Sequence, residues 1–244
     1  MPLPTAQKSR HTKGEVNRAG ALIRDLKERL DRDGAAPIEE DEDRRLDEAW
    51  DALTWWRSLH ARPLSTVAAN LRYHVDQAGG RLEDRIVVTQ RLKRLPTLIE
   101  KLGRESGSVT QMHDIGGVRA VLPTLRHVSL VRRRLLKSWT IIRERDYIER
   151  PKDSGYRAVH LIVRRSGYVV EVQLRTFVQD LWANTVENLG RNLGQDLKSG
   201  TGSPQVLETF SATAELLAAF DRGDVSADNV RVGLEFLPLV TITE

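Results

Sequence analysis

The feature that most constrains this chain is a change in the period of its apolar residues. Up to about residue 79 they recur three and four apart, as in Leu22, Leu26 and Leu30, then Leu46, Trp50, Leu53 and Trp56. That spacing puts each set on one face of a helix. Five short runs then follow a period of two or are continuously apolar: Ile86 to Val88, Arg119 to Leu122, Trp139 to Ile142, Ala158 to Val163 and Tyr168 to Leu174. These read as strands. Helical stretches at about 94–103, 124–137 and 176–190 fall between and after them, and another follows at about 204–221. The expected fold class is α+β, a sheet of about five strands wrapped by helices. A further helix is expected to begin near Ser65 as N-cap and run to Gly79-Gly80.

Composition narrows the chemistry. No Cys is present, which removes disulfide scaffolds, thiolate zinc sites and cysteine nucleophiles. No apolar run approaches the ~20 residues of a bilayer span. The basic start MPLPTAQKSRHTKGE has no apolar core of a signal peptide, so a cytoplasmic protein is expected. The net charge of +4 decides little, but 30 of the 38 basic residues are Arg, and guanidinium groups suit phosphate-rich ligands as well as reflecting codon usage. The organisation expected is a mobile basic tail over 1–15, N-terminal helices over 16–60, a core over 61–195, and a C-terminal helix with an apolar tail over 196–244.

Four segments carry candidate chemistry. In the first, Thr97, Lys101 and Arg104 lie at i, i+4 and i+7 of one helix, with Pro96 in its first turn and Arg91 and Lys93 just ahead. Such a set suits a polyphosphate, and equally a solvated basic helix face. In the second, Asp114 precedes Gly116-Gly117 and Arg119. A carboxylate beside glycines can hold Mg²⁺ through oxygen, although an ordinary glycine-rich turn has the same look. The third runs from Asp146 to His160 with Lys152, and a strand there would place Tyr156, Ala158 and His160 on one side. In the fourth, Val169, Glu171, Gln173 and Arg175 share one side of a strand, where a Glu calls for a cation opposite it. Two separated acids with clustered Arg and Lys make a set of parts for Mg²⁺-dependent phosphoryl or pyrophosphoryl transfer.

These four segments, in this order, resemble the synthetase domain of the RelA/SpoT family over roughly residues 60–190. The resemblance implies a nucleotidyltransferase-like mixed sheet, with ATP as donor of its β,γ-pyrophosphate to a ribose 3′-OH. It implies that Arg91 and Arg119 sandwich the adenine, and that Lys93, Thr97, Lys101 and Arg104 bind the ATP phosphates. Asp114 and Glu171 would hold Mg²⁺, with Glu171 helping to deprotonate the acceptor hydroxyl. Tyr156 would stack the acceptor base, with Lys152, His160 and Gln173 around its phosphates or ribose. The chain departs from the family pattern at Gln179-Asp180, where an Asn is usual, and over Trp182 to Gly190, which lacks the usual His. The segment Gly194 to Ser199 lacks the Gly before Lys198 that a Walker A loop needs.

The wording of Gln90 to Pro96, Met112 to Val121 and Lys152 to His160 resembles the toxic small synthetases of toxin–antitoxin and phage-defence systems. On that resemblance the expected acceptor is the 3′-CCA end of tRNA, with inhibition of translation. Arg132, Arg133, Arg134 and Lys137 on one helix would grip the tRNA backbone, unless they simply form a solvated face. The alternatives are alarmone synthesis on a guanine or other purine nucleotide, and a non-catalytic nucleotide-binding module. The tryptophans Trp50, Trp55 and Trp56 and the tail Phe236 to Val240 are expected to pack as core or to meet an antitoxin or a second subunit.

Overall fold

The computed structural model describes residues 10–34, 39–79, 86–104, 107–192, 194, 197 and 200–230. Most of the basic N-terminal tail and the whole apolar C-terminal tail lie outside them. Among the described residues seven α-helices and five strands follow in the order α1 (Lys13–Asp33), α2 (Glu40–Ser58), α3 (Ala61–Gly79), β1 (Val87–Leu92), α4 (Leu95–Arg104), β2 (Gly116–Leu122), α5 (Leu125–Ser138), β3 (Ile141–Asp146), β4 (Val159–Arg165), β5 (Tyr168–Thr176), α6 (Phe177–Asn192) and α7 (Pro204–Arg222). The strands form one mixed sheet in the order β1-β2-β5-β4-β3. β3 runs antiparallel to β4, with Glu144 opposite Leu161 and Asp146 opposite Val159. β4 turns into β5 through Ser166 and Gly167, with φ of 50° and 81°. Two consecutive positive φ values make the tight turn that matches strand twist, and Gly167 carries the second without strain.

Among the described residues the chain divides into two compact units. One takes Met1–Val67, Gln90–Gly117 and Arg165–Glu171; the other takes Ala68–Thr89, Val118–Arg164 and Val172–Glu244. In the first, α1 starts with a reciprocal cap. Glu15 N–H donates to Thr12 Oγ1 at 3.2 Å, and Thr12 N–H donates to Glu15 Oε2 at 2.6 Å. The acidic start of α2, Glu40 to Asp43, faces the positive end of its helix dipole. Val16, Ile23, Leu46, Leu53, Trp56, Leu98, Leu102 and Ile115 are buried in one cluster, on which Trp55 also packs. Trp55 and Trp56 are thus core, whereas Trp50 is exposed. Gly20 lets α1 approach the 3-10 turn at Val109–Gln111, since a Cβ there would lie 2.3 Å from Val109 Cγ2.

The second unit is organised by α6 and α7. Tyr156, Ala158, Trp182, Val186 and Val206 form its cluster with Ala214. Thr176 and Gln179 cap α6 reciprocally at 3.1 and 3.3 Å, and both donate to Asp221 on α7, at 2.5 and 3.0 Å. Arg157, buried, donates to the Ala214 carbonyl at 3.3 Å and to Glu215 at 2.6 Å.

Three boundaries differ from the sequence reading. α3 begins at Ala61, not at Ser65: Leu64 N–H donates to the His60 carbonyl at 2.9 Å, and Pro63 sits where no intrahelical N–H is needed. Trp139 ends α5 by donating its N–H to the Leu135 carbonyl at 2.8 Å, so β3 starts only at Ile141. Tyr156 to Ala158 precede β4 and are not part of its strand.

Candidate functional site

Within the first unit the central feature is a lysine–carboxylate–lysine cluster. Lys93 follows β1, and its backbone is held on both sides. Its N–H donates to the Ile115 carbonyl at 2.8 Å, and its carbonyl accepts from Arg57 Nε at 2.7 Å. The side chain then donates to Asp114 Oδ2 at 2.6 Å, and Lys101 of α4 donates to the same oxygen at 2.9 Å. Lys101 is aimed there because Leu98, Ile99 and Leu102 bury the other side of α4. Burial raises the Asp114 pKa, but the two ammonium groups together outweigh it and hold the carboxyl below its ordinary value.

The other oxygen, Asp114 Oδ1, is buried and has no hydrogen-bond partner. An orphaned carboxylate oxygen fits a hard cation, so the residues present suit Mg²⁺. No group of three or more acidic or His side chains gathers among the described residues. Mg²⁺ does not require one, because it is bound through one or two carboxylates plus substrate phosphates. Glu171, half-buried in β5, belongs to the same unit as Asp114. Thr97 and Arg91 are exposed, while the Arg104 side chain lies outside the described residues. The expected helix face therefore holds for Thr97 and Lys101. Gly116 and Gly117 open β2 and do not form a turn, and a Cβ on Gly117 would meet nothing within 4 Å.

The second unit holds a polar chain through its core. Arg119 of β2 donates to Asp180 Oδ1 at 2.6 Å and to Asn184 Oδ1 at 3.1 Å. Arg175 is almost fully enclosed. It donates to Asp180 Oδ1 at 3.2 Å, to Tyr156 Oη at 2.6 Å and to Gln173 Oε1 at 2.8 Å. Tyr156 Oη also lies 2.6 Å from His160 Nε2. Period-two spacing does place Gln173 beside Arg175, as expected.

Tyr156 departs from the role that the resemblance implies. It is only 1% exposed, and its ring is covered by Tyr147, Trp182 and the Arg175 guanidinium, the last 5.1 Å from the ring centroid. A ring enclosed in this way has no open face for a base. Tyr147, half-exposed beside it with Lys152 Nζ 5.3 Å away, is the more accessible aromatic of the pair. The basic helix face of α5 is also divided. Arg132 is tied to Glu144 and to Asp146, the latter at 2.7 Å, so its charge is compensated inside the fold. Arg134 is half-buried, and Arg133 and Lys137 are exposed.

Arg57, Asn184 and Asp221 are not singled out by the sequence, and Arg175 and Asp180 stand out there only as a strand neighbour of Gln173 and as a departure from the family pattern. The i, i+4 spacing of Asp180 and Asn184, just after a strand-borne Arg175, was the available signal.

The site is thus an α+β sheet protein's carboxylate held between two lysines, and comparison with known proteins gives the chain a family. Residues 90–189 match the region found in RelA / SpoT proteins. The chain is 31% identical to GTP pyrophosphokinase YwaC of Bacillus subtilis (strain 168) over 147 residues, 54% of this chain and 68% of YwaC. It is 33% identical to GTP pyrophosphokinase YjbM of the same organism over 114 residues, 41% of this chain and about half (54%) of that relative. Among solved structures, a GTP pyrophosphokinase family protein from Streptococcus pneumoniae superposes with a TM-score of 0.57 at 25% identity, covering 76% of this chain and 99% of the other. Small alarmone synthetase 1 from Bacillus subtilis, bound to its product pppGpp, shares the fold with a TM-score of 0.57 at 23% identity, covering 75% and 99%. The chain belongs to the RelA/SpoT family, with the fold of the small alarmone synthetases. No helix among the described residues is long and apolar enough to cross a membrane.

Proposed function

We propose that this protein is an ATP-dependent pyrophosphokinase that makes an alarmone, using a guanine nucleotide as acceptor. The observation that carries the reading is the cluster at Asp114: two lysines converge on one carboxylate whose second oxygen is buried without a partner. The lysines supply positive charge for the β- and γ-phosphates, and the carboxylate supplies an oxygen ligand for a cation. Bound Mg²⁺ would neutralise polyphosphate charge and favour attack at phosphorus.

In the reaction, the acceptor 3′-oxygen forms a bond to the β-phosphorus of ATP. The bond from that phosphorus to the α,β-bridging oxygen breaks, and AMP departs. Glu171 takes the hydroxyl proton. Lys93 and Lys101 hold the transferred pyrophosphoryl group, and Arg119 holds the donor base with Arg91. Gln173, His160 and Lys152 orient the acceptor. We place the activity in the cytoplasm, where both nucleotides occur.

A nucleotide acceptor is favoured over the tRNA expected from motif wording for two reasons. The relatives bear the name GTP pyrophosphokinase. The α5 grip also has one of its arginines, Arg132, already paired within the fold. The test is incubation with γ-labelled ATP and, separately, GDP, GTP or deacylated tRNA. Label on GDP or GTP supports the reading, and label on tRNA alone overturns it.

A further inference from the structure

Asp180, in the first turn of α6, is the point at which two arginines meet. Arg119 Nη1 at 2.6 Å and Arg175 Nη1 at 3.2 Å share its Oδ1, while Asn184 Nδ2 donates to Oδ2 at 2.9 Å. One oxygen thus serves two guanidinium groups, one strongly and one weakly. The weaker partner, Arg175, has 2% of its side chain exposed and donates through Nη2 to Tyr156 Oη and Gln173 Oε1, while its Nε is buried without a partner. Arg175 therefore cannot move without moving the tyrosine and glutamine it holds, because a buried charge keeps its partners or incurs a large desolvation cost.

We propose that Asp180 is a positioning residue that couples donor binding at Arg119 to acceptor binding at Gln173 and His160. This rests on the functional reading above, which gives Arg119 to the ATP side and Gln173 and His160 to the acceptor side; Tyr156, enclosed in the core, links Arg175 to His160 through its hydroxyl. When ATP draws Arg119 onto its base, the hold of Arg119 on Oδ1 weakens. Asp180 then closes on Arg175, which carries Tyr156 and Gln173 into one fixed arrangement. Binding of the donor therefore tightens binding of the acceptor, and linkage requires the converse to the same factor. The carboxylate charge is essential to this exchange. An amide accepts from one arginine through its oxygen, but its nitrogen faces the Asn184 donor and balances neither guanidinium.

The test is calorimetric titration of GTP in the absence and presence of a saturating non-hydrolysable ATP analogue, for the wild type, Asp180→Asn and Arg175→Lys. The wild type should bind GTP about fivefold or more tightly when the analogue is present, within the usual range of coupling. In both variants the ratio should fall to about one, while the analogue alone still binds. A lesion that merely loosens the fold would weaken each ligand and leave the ratio in place. Arg175→Lys keeps the buried charge but cannot reach three acceptors, so it reports even if Asp180→Asn fails to fold. A wild type in which each ligand binds without coupling, or an Asp180→Asn protein that retains the full ratio, overturns the proposal. Failure of the wild type to bind either nucleotide counts instead against the functional reading.

Discussion

Asp114→Asn should make the protein bind metal-free ATP more tightly, even though it destroys catalysis. In the folded protein Lys93 and Lys101 are not waiting for phosphate; both donate to Asp114 Oδ2, at 2.6 and 2.9 Å. A polyphosphate arriving without a cation must take the lysines from an internal competitor. It must also leave that carboxylate, 21% exposed, with its counter-charges removed. A hydrogen bond to a charged group contributes ~1.5–3 kcal/mol. If removing the competitor restores only the lower figure for one lysine, affinity rises about tenfold. The second lysine could add as much, but mutual repulsion of two adjacent ammonium groups opposes it, so tenfold is the working value. With Mg²⁺ present the order reverses, because wild type gains an ion ligand that the variant lacks. Titration of a fluorescent ATP analogue in EDTA and then in Mg²⁺ reads both. If Asp114→Asn binds the analogue in EDTA no better than wild type, the lysines are not held in reserve by Asp114 and the cluster is only structural.

Glu171→Gln should lower transfer by roughly 10²- to 10⁴-fold, as expected on removing a general base, with an unchanged melting curve. Wild-type turnover in the labelling assay would remove Glu171 from the chemistry. Gly155→Ala should destabilise by at least about 1–2 kcal/mol, read by urea denaturation, since φ is +83° there. The new Cβ would also lie 2.4 Å from Ala214 Cβ, so α7 must shift, and an unchanged midpoint would contradict that packing. His60 is buried, and desolvation holds its pKa below 6.5 despite an opposing hydrogen bond to the Trp56 carbonyl. A depressed folded pKa means that stability is full above 6.5 and is lost as pH falls below it towards the folded value. Melting temperatures between pH 7.5 and 5, from ~7.5 down in half-unit steps, should decline in wild type and flatten in His60→Leu. Parallel profiles would assign the acid sensitivity to another group.

Elements with strong periodicity were legible from the chain alone. The starts of α4, α5, α6 and α7 lie within a residue of where the apolar spacing puts them, because Pro96, Thr124, Thr176 and Pro204 mark those starts locally. The start of α3 differs because Ser65 looks like a cap, whereas the backbone carbonyl of His60 already begins the helix five residues earlier. The motif carrying Lys93, Lys101 and Asp114 was also legible, as a set of residue types. Their present pairing was not, since i, i+4 arithmetic relates residues on one helix and says nothing about a carboxylate ahead of a strand. Tyr156 shows the same limit. The resemblance implies an aromatic open to a base, and only the packing of Trp182 and the buried Arg175 against it reveals a core residue.

The way the chain is shared between its two units bears on how it is made. The first unit is assembled from Met1–Val67, Gln90–Gly117 and, much later, the seven-residue return Arg165–Glu171. A ribosome adding about 5–20 residues each second must therefore finish most of the protein before this unit has all its parts. Until then Leu98, Leu102 and Ile115 have partners on α1 and α2, but Trp56 waits for Tyr168, whose ring ends 5.9 Å away. Contacts that distant in sequence slow folding. Neither unit can be obtained by cutting the chain at one place, and a protease nick between Gly117 and Arg165 would sever both at once.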